Sequence, residues 1–433
     1  MTLRDGFPLK WSGGSVFVWG SRAAFSLLDQ LAVSGCHFLL GIALARSLPQ
    51  ETFGAAALAL TVSQIAQDIH GSVILNPLIN LVSSEFATVR VEYLKTLWSF
   101  HWIVSLVCGA LVGVAGLAAT GNLRTALMTG ALVVPVLLTL QMTRRIPYID
   151  GDARRSAVRG TLYAAVTLLA MAALLSCGIT SANLGYLAMA VGSVAAFTLS
   201  GQLSTMSVAP GTIALRQVAR AHLRQAKFLM PATLLNLLVF YSPTFAVSGI
   251  LGLKENALLR SAQTVSMPLG QLILSLHVLF IPKLAKDYSV DQRRFRRNAG
   301  LLLGSVSAAA LFSAVMITLF GGMLYRVIFP PSFQPFSYVA VWLSWAVVAT
   351  SLYTTAHAVL SVCRKFPASL AMAVATALVT LVCVTPLIKS FGLQGVALVM
   401  VVAQVSGLCT AALVVASTRG DGAKIAGPAE VTS

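Results

Sequence analysis

The sequence predicts an all-α integral membrane protein with about 12 transmembrane helices in two six-helix bundles. First, 57% of the 433 residues are hydrophobic and only 10% are charged, whereas a soluble domain carries about 25% charged residues. Second, apolar segments long enough to cross a hydrocarbon core of about 30 Å recur along the whole chain. Third, the basic residues are concentrated in alternate loops, as the positive-inside bias predicts.

The apolar segments have similar lengths, and short polar connections separate them. The two weakest candidates are the second, which carries many polar residues, and the eighth, which begins near Arg260. The predicted spans are 24–46, 55–81, 97–119, 123–142, 160–178, 183–201, 229–252, 258–281, 299–320, 336–360, 367–388 and 392–416.

The positions of Lys and Arg predict the orientation of the chain. Twenty-four of the 30 basic residues fall in the N-terminus, the even-numbered loops and the C-terminus. These segments, including both termini, are therefore predicted to be cytoplasmic. The loops 143–159 and 282–298 are rich in Arg. These arginines either determine the membrane topology only, or also contact anionic lipid headgroups. Because the net charge of +17 is spread over short loops, it argues against nucleic-acid binding.

The loop after the sixth span predicts where the chain divides. Its basic residues Arg216, Arg220, Arg224 and Lys227 recur at spacings of four, four and three residues, which places them on one face of a helix. A short amphipathic helix on the inner leaflet would join two halves of six spans each. The predicted units are an N-terminal bundle (1–208), a cytoplasmic amphipathic linker (209–228) and a C-terminal bundle (229–433).

The sequence carries no recognisable enzyme motif. HExxH, GxSxG and Walker patterns are absent, and the six cysteines form no CxxC pair. The predicted outer loops are too short to form the catalytic pocket of a polysaccharide polymerase or ligase. We therefore expect a protein that is not an enzyme and needs no cofactor or metal.

Two acidic residues, Asp29 and Asp68, lie inside predicted spans. Burying an isolated carboxylate costs at least about 2.5–3.5 kcal/mol, so each is expected to face a cavity, to be paired, or to be protonated. Such residues either respond to a coupling ion, H+ or Na+, or form ordinary interhelical hydrogen bonds.

Further polar residues complete the candidate translocation path. Arg260 begins a rough stripe in the eighth span that extends to Gln271, and it either attracts a phosphate or reaches toward the outer surface. His37 lies within the first span, and Arg46 lies at its outer end. The candidate path comprises Asp29, His37, Arg46, Asp68, Arg260 and Gln271.

The exit of the first span, ALARSLPQETFG at 43–54, resembles the LARxLGPxxFG signature of the polysaccharide transporter family. This family contains the O-antigen and exopolysaccharide flippases of the multidrug/oligosaccharidyl-lipid/polysaccharide exporter superfamily. Within the exit, Pro49 and Gly54 are expected to break the helix and to turn the chain. The segment 245–283 is similar to the family's hairpin of helices seven and eight.

The resemblance implies two six-helix bundles around a cationic cavity in a bacterial inner membrane. It also implies alternating access that moves an undecaprenyl-pyrophosphate-linked oligosaccharide to the outer leaflet. Arg46 and Arg260 are placed to contribute from the outer half, and membrane lipids and polysaccharide-assembly proteins are the implied partners. One alternative is a drug/cation antiporter of the same superfamily, although its Gly-Xaa-Xaa-Asp-Thr signature is absent after the first span. A second is a polysaccharide polymerase or ligase.

Overall fold

The computed structural model describes residues 13–200 and 211–425, with side chains over 24–200 and 211–417 except for eight positions between 269 and 289. The described chain folds almost entirely into helices, which short turns connect. The helices are α1 (Gly13–Ser47), α2 (Gln50–His70), α3 (Asn76–Leu81), α4 (Arg90–Ala118), α5 (Gly121–Ile149), α6 (Ala153–Ser176), α7 (Leu184–Leu199), α8 (Leu215–Ile250), α9 (Leu253–Val290), α10 (Gln292–Ile328), α11 (Ser337–Val362), α12 (Phe366–Phe391) and α13 (Leu393–Ile425).

The helices form twelve rods, because a five-residue π-helix, Gly71–Leu75, joins α2 to α3 as one rod. Seven helices, α1–α7, make up the N-terminal half, and six, α8–α13, make up the C-terminal half. Because short turns reverse the chain after each rod, the Arg-rich connections before α6 and α10 follow an even number of rods, and we infer that they share one end of the molecule with the start of α1. We call this end the basic end and the other the opposite end.

Nine helices of the described chain are long and apolar enough to cross a membrane. Among the other helices, α7 is a shorter apolar helix, and several polar residues lie within the predicted spans of α2 and α9. The last two are the spans that the sequence identified as weakest. They pack against each other at the centre of the molecule, where they contact protein and a cavity, so their polar residues carry no penalty from lipid.

The interruption between α2 and α3 does not lie at the nearby proline, Pro77. The π-helix lies one turn before this proline, and Pro77 occupies the first turn of α3, where its missing N–H costs least. Ser72 inside the π-helix hydrogen-bonds the Asp68 carbonyl (3.1 Å) and the Thr233 hydroxyl of α8 (2.6 Å). The interruption therefore supplies a contact between the two halves.

The segment 215–228 is not a separate linker helix, because it forms the first turns of the continuous helix α8. Its apolar side packs against the N-terminal half, where Val218 and Ala221 are buried in one cluster with Tyr93. The His222 ring, which is fully buried, hydrogen-bonds the Tyr93 hydroxyl (2.8 Å) and the Val73 carbonyl (2.9 Å). A long helix thus connects the halves, while the other part of the predicted linker, 209–214, lies partly outside the described residues.

The turn at the exit of α1 is tighter than predicted. Pro49 caps α2 at its N-terminus, whereas Gly54 lies inside α2 and does not turn the chain. The expectation that Gly54 breaks the helix was therefore wrong. Its position instead permits a close approach to α9, as described below.

Candidate functional site

The main cavity lies between the two halves and has two chambers. The larger chamber, about 690 Å³, is on the basic-end side. The smaller, about 100 Å³, is closer to the opposite end. Gln67 and Tyr241 line both, so the chambers adjoin there. Such a cavity, narrow at one end and wide at the other, can admit a ligand from the basic end.

Close packing of α2 against α9 closes the opposite end. A Cβ atom at Gly54 would overlap the Leu253 carbonyl group, lying 2.7 Å from its carbon atom and 3.3 Å from the Ala257 nitrogen. Only glycine allows the two backbones to approach this closely. The buried Asn256 side chain donates a hydrogen bond to the Gly54 carbonyl (2.9 Å), and Phe53 packs edge-on against Phe333.

Arg260 lines the smaller chamber about two turns from the start of α9. At 1.5 Å per residue, it is therefore roughly 10 Å from the opposite end of that helix. No carboxylate of the described residues forms an ion pair with it. A guanidinium without a carboxylate partner, held inside a cavity, is suited to binding a phosphate or another anion.

Asp68 lines the larger chamber and accepts a hydrogen bond from the Tyr241 hydroxyl (2.8 Å). This bond connects α2 in the N-terminal half with α8 in the C-terminal half. Asp68 is partly exposed, so its carboxylate can meet an ion or proton that enters from the basic end. Of the two acids in predicted spans, Asp68 is the one that lines the cavity.

Asp29 occupies a different environment within the N-terminal half. It is 3% exposed, and its two oxygens accept hydrogen bonds from Arg144 of α5 (3.0 Å) and the Tyr148 hydroxyl (2.9 Å). Arg144 also forms an ion pair with it at 2.9 Å. Gly160 of α6 packs directly on this carboxylate. Within the described part of the chain, the residues that line the two chambers do not include Asp29.

The remaining predicted path residues do not form one cluster. His37 lines the smaller chamber and hydrogen-bonds the Tyr163 hydroxyl (3.0 Å). Arg46 is exposed at the end of α1. Gln271 belongs to α9, but its side chain lies outside the described residues. The structure thus brings His37 and Arg260 to one chamber and Asp68 to the adjoining one.

Sequence reasoning missed the α8 wall of the cavity. Five residues of α8 line the larger chamber at helical spacing, and this periodicity was the available signal: Thr233, Asn236, Leu237, Phe240 and Tyr241. The stripe is partly aromatic and apolar, so it also fits an ordinary packing face. Arg145 of α5, which is exposed, completes the rim at the basic end.

The described residues contain no group of three or more His, Cys, Asp or Glu side chains that could hold a metal ion. The polar groups of the cavity instead come from amides, hydroxyls, one imidazole, one carboxylate and two guanidiniums. Such a set is suited to binding a polar or anionic ligand.

Comparison with known proteins relates this architecture to transporters. No family model matches the chain. Over 310 residues the chain is 28% identical to the succinoglycan biosynthesis transport protein ExoT of Rhizobium meliloti (strain 1021), and the match covers 69% of this chain and 59% of that protein. The chain thus spans less than two thirds of the length of this curated relative.

Two solved structures share the fold. An inward-facing multidrug resistance MATE family transporter of the MOP superfamily superposes with a TM-score of 0.72 at 13% identity, over 92% of this chain and 96% of that one. Lipid II flippase MurJ, in an inward closed conformation, gives 0.68 at 11% identity, over 93% and 87%. These likenesses confirm the prediction of an all-α membrane protein with about 12 transmembrane helices. The chain therefore has the fold of these transporters, and its similarity to ExoT agrees with the resemblance to the polysaccharide transporter family.

Proposed function

We propose that this protein is a flippase that moves a lipid-linked oligosaccharide across a bacterial inner membrane without catalysing a reaction. The observation that carries the proposal is Arg260, a cavity guanidinium that has no carboxylate partner in the described structure. A pyrophosphate that links a lipid to a saccharide is a suitable ligand for such a group. The similarity to ExoT, whose name states succinoglycan transport, supports the same substrate class.

In this proposal the basic end is cytoplasmic, together with both termini, because loops rich in Lys and Arg are retained there. The substrate enters the larger chamber and its phosphate moves toward Arg260. The halves then rock about their contacts, closing the basic end and separating α2 from α9 at Gly54. Membrane lipids surround the protein, and polysaccharide-assembly proteins are its further candidate partners.

We assign ion coupling, by H+ or Na+, to Asp68 in preference to Asp29. Asp68 faces the chamber and connects the two halves through Tyr241. Its charge can therefore influence the relative orientation of the two halves. Asp29 already has an arginine partner inside one half. Neutralising Asp29 would therefore disturb packing before it affected transport energetics.

The alternative functions fit the cavity less well. An organic cation, the expected cargo of a drug/cation antiporter, would be repelled by Arg260. A polymerase or ligase would need a catalytic pocket outside the membrane. The described connections at the opposite end are mostly tight turns, such as Leu48–Pro49 and Leu251–Gly252.

Reconstitution in vesicles of bacterial phospholipid tests the proposal. The substrate is an undecaprenyl-pyrophosphate-linked oligosaccharide, and its appearance in the other leaflet is followed with an impermeant sugar oxidant. We expect Arg260→Gln to slow translocation at least about tenfold, because a charge-assisted hydrogen bond contributes roughly 1.5–3 kcal/mol. Arg326→Gln is the matched control, since Arg326 is exposed near the opposite end. Equal rates for the wild type and both variants would contradict the proposal.

A further inference from the structure

A second cavity, on the C-terminal half, has different chemistry. It is an apolar groove of about 550 Å³ between α10, α11 and α13, and it shares no lining residue with the two central chambers. Helix α11 packs against α10 on one side and α13 on the other and forms the floor. The volume lies within the range of about 300–1,000 Å³ that is typical of ligand sites.

Small residues create the groove. Six of its lining positions carry only hydrogen or a methyl group as the side chain: Ala299, Gly300, Ala356, Ala411, Ala412 and Ala416. A Cβ atom added at Gly300 would have no neighbour within 4 Å, so this position faces open space. The groove therefore has room for an extended hydrocarbon chain at the depth of the membrane interior.

The basic end of the groove is flanked by arginines. Arg296 precedes Gly300 by four residues on α10, so it lies on the same face about 6 Å closer to the basic end. Arg364 follows Leu360, which lines the groove on α11, by the same interval. Both arginines are exposed, and within the described chain neither forms an ion pair with a carboxylate.

The backbone at Arg364 gives independent support. Arg364 has φ of +55° and is the one non-glycine residue with positive φ among those that the structure describes. Its N–H bonds the Ser361 carbonyl (3.1 Å), and the Lys365 N–H bonds the Leu360 carbonyl (3.0 Å). This helix ending normally takes glycine at the left-handed position, since other residues are strained there. An arginine in this strained position indicates that its side chain has a functional role.

Contacts from neighbouring helices also hold this turn in place. The Tyr288 hydroxyl of α9 donates a hydrogen bond to the Cys363 carbonyl (3.2 Å), and the Tyr288 ring packs edge-on against Phe295 of α10. These contacts connect the ends of α9, α10 and α11. They fix the turn that carries Arg364 relative to the helix that carries Arg296.

We propose that the groove is a binding site for an anionic phospholipid. One acyl chain lies along α11 between α10 and α13, and the phosphate group is bound by Arg296 and Arg364. Charge complementarity selects an anionic headgroup over a zwitterionic one, because neither guanidinium forms an ion pair with a carboxylate of the described residues. The site does not depend on the proposed transport function, since it lies outside the central cavity.

Native mass spectrometry of the full-length protein tests this site. The protein is reconstituted in nanodiscs made of equal parts phosphatidylglycerol and phosphatidylcholine and then released into mild detergent. We expect the wild type to retain phosphatidylglycerol in preference to phosphatidylcholine. The double variant Arg296→Gln with Arg364→Gly should bind it roughly thirtyfold more weakly, as expected for two interfacial arginines. Glycine is the replacement at Arg364 because the left-handed turn accepts it without strain.

Matched variants separate headgroup, chain and folding effects. Arg294→Gln is the control for charge, because Arg294 lies on the far side of α10 and pairs with Asp291. Gly300→Phe should fill the groove and release the lipid. Gly322→Phe, at another open position of α10, should not. Equal retention of the two phospholipids by the wild type would overturn the proposal, as would unchanged selectivity in the double arginine variant or unchanged occupancy in Gly300→Phe.

Discussion

Replacing Gly54 by alanine should open the opposite end of the molecule. The new Cβ atom would lie 2.7 Å from the Leu253 carbonyl carbon, whereas ordinary contact begins at 3.4 Å. Helix α2 must therefore withdraw from α9 by at least 0.7 Å. This movement also stretches the hydrogen bond from Asn256 to the Gly54 carbonyl, which is 2.9 Å long.

The energetic effect of this withdrawal is large enough to measure. Overpacking costs roughly 1–3 kcal/mol, and a weakened buried hydrogen bond adds about 1 kcal/mol. The closed state would lose about 2–4 kcal/mol relative to a state in which α2 and α9 are apart. That loss shifts the ratio of the two states by roughly 30-fold to 700-fold.

Thiol labelling in cells can detect the shift. Thr61→Cys, introduced into a variant without the native cysteines, reports on the smaller chamber, which Thr61 lines. A membrane-impermeant maleimide outside the cell should label it faster when Gly54→Ala is present. Gly249→Ala is the control, because Gly249 lies near the same end and an added Cβ atom meets nothing within 4 Å. If Gly54→Ala labels no faster than Gly249→Ala, the tight approach does not close this end.

Three further substitutions test the remaining contacts. Asp29→Asn should lower the free energy of unfolding by roughly 3–5 kcal/mol, because it leaves the partly buried Arg144 without its carboxylate. Thermal melting in detergent measures this loss. A change below about 1 kcal/mol would show that the ion pair does not stabilise the fold. Asp68→Asn should abolish the dependence of transport on an ion gradient while Asp29→Asn preserves it, and a reversed result in vesicles with a collapsible gradient would contradict our assignment. Tyr241→Phe removes the hydrogen bond between α8 and Asp68, so the distance between labels on the two halves should broaden in spin-label measurements, whereas an unchanged distribution would mean that the bond does not restrain the halves.

Much of the fold followed from the sequence because lipid imposes a simple rule. A segment that faces hydrocarbon must be apolar for about twenty residues, so the pattern of apolar runs fixes the number of rods. The rule does not apply where a helix contacts protein, and two helix ends were predicted wrongly for this reason. Gly54 fits a turn as well as a close helix contact, and only the position of Leu253, about 200 residues away, distinguishes the two. The continuity of α8 through Leu215 was likewise hidden, because its first turns pack on protein and not on lipid.

The site was less predictable because identical side chains take roles that their partners decide. Asp29 and Asp68 are each the one acidic residue of a predicted span, and the sequence around each is compatible with a cavity. Asp29 differs because α5 brings Arg144 and Tyr148 to it from more than 110 residues away. Asp68 differs because α8 brings only a hydroxyl, that of Tyr241. Local sequence contains neither fact.

The two helices that the sequence identified as the weakest candidate spans, α2 and α9, indicate how fold and function are connected here. A helix that lines a polar cavity carries polar side chains that a helix facing only lipid would not carry. Helix α2 carries Asp68 and Gly54, and α9 carries Arg260 and Asn256. The same pair therefore supplies two of the cavity's three described charged side chains, the third being Arg145 of α5, and it also makes the contact that closes the opposite end. Because a ligand bound at Arg260 acts on the helix that must also separate from Gly54, substrate binding and opening of this end are coupled through one rigid element in our proposal.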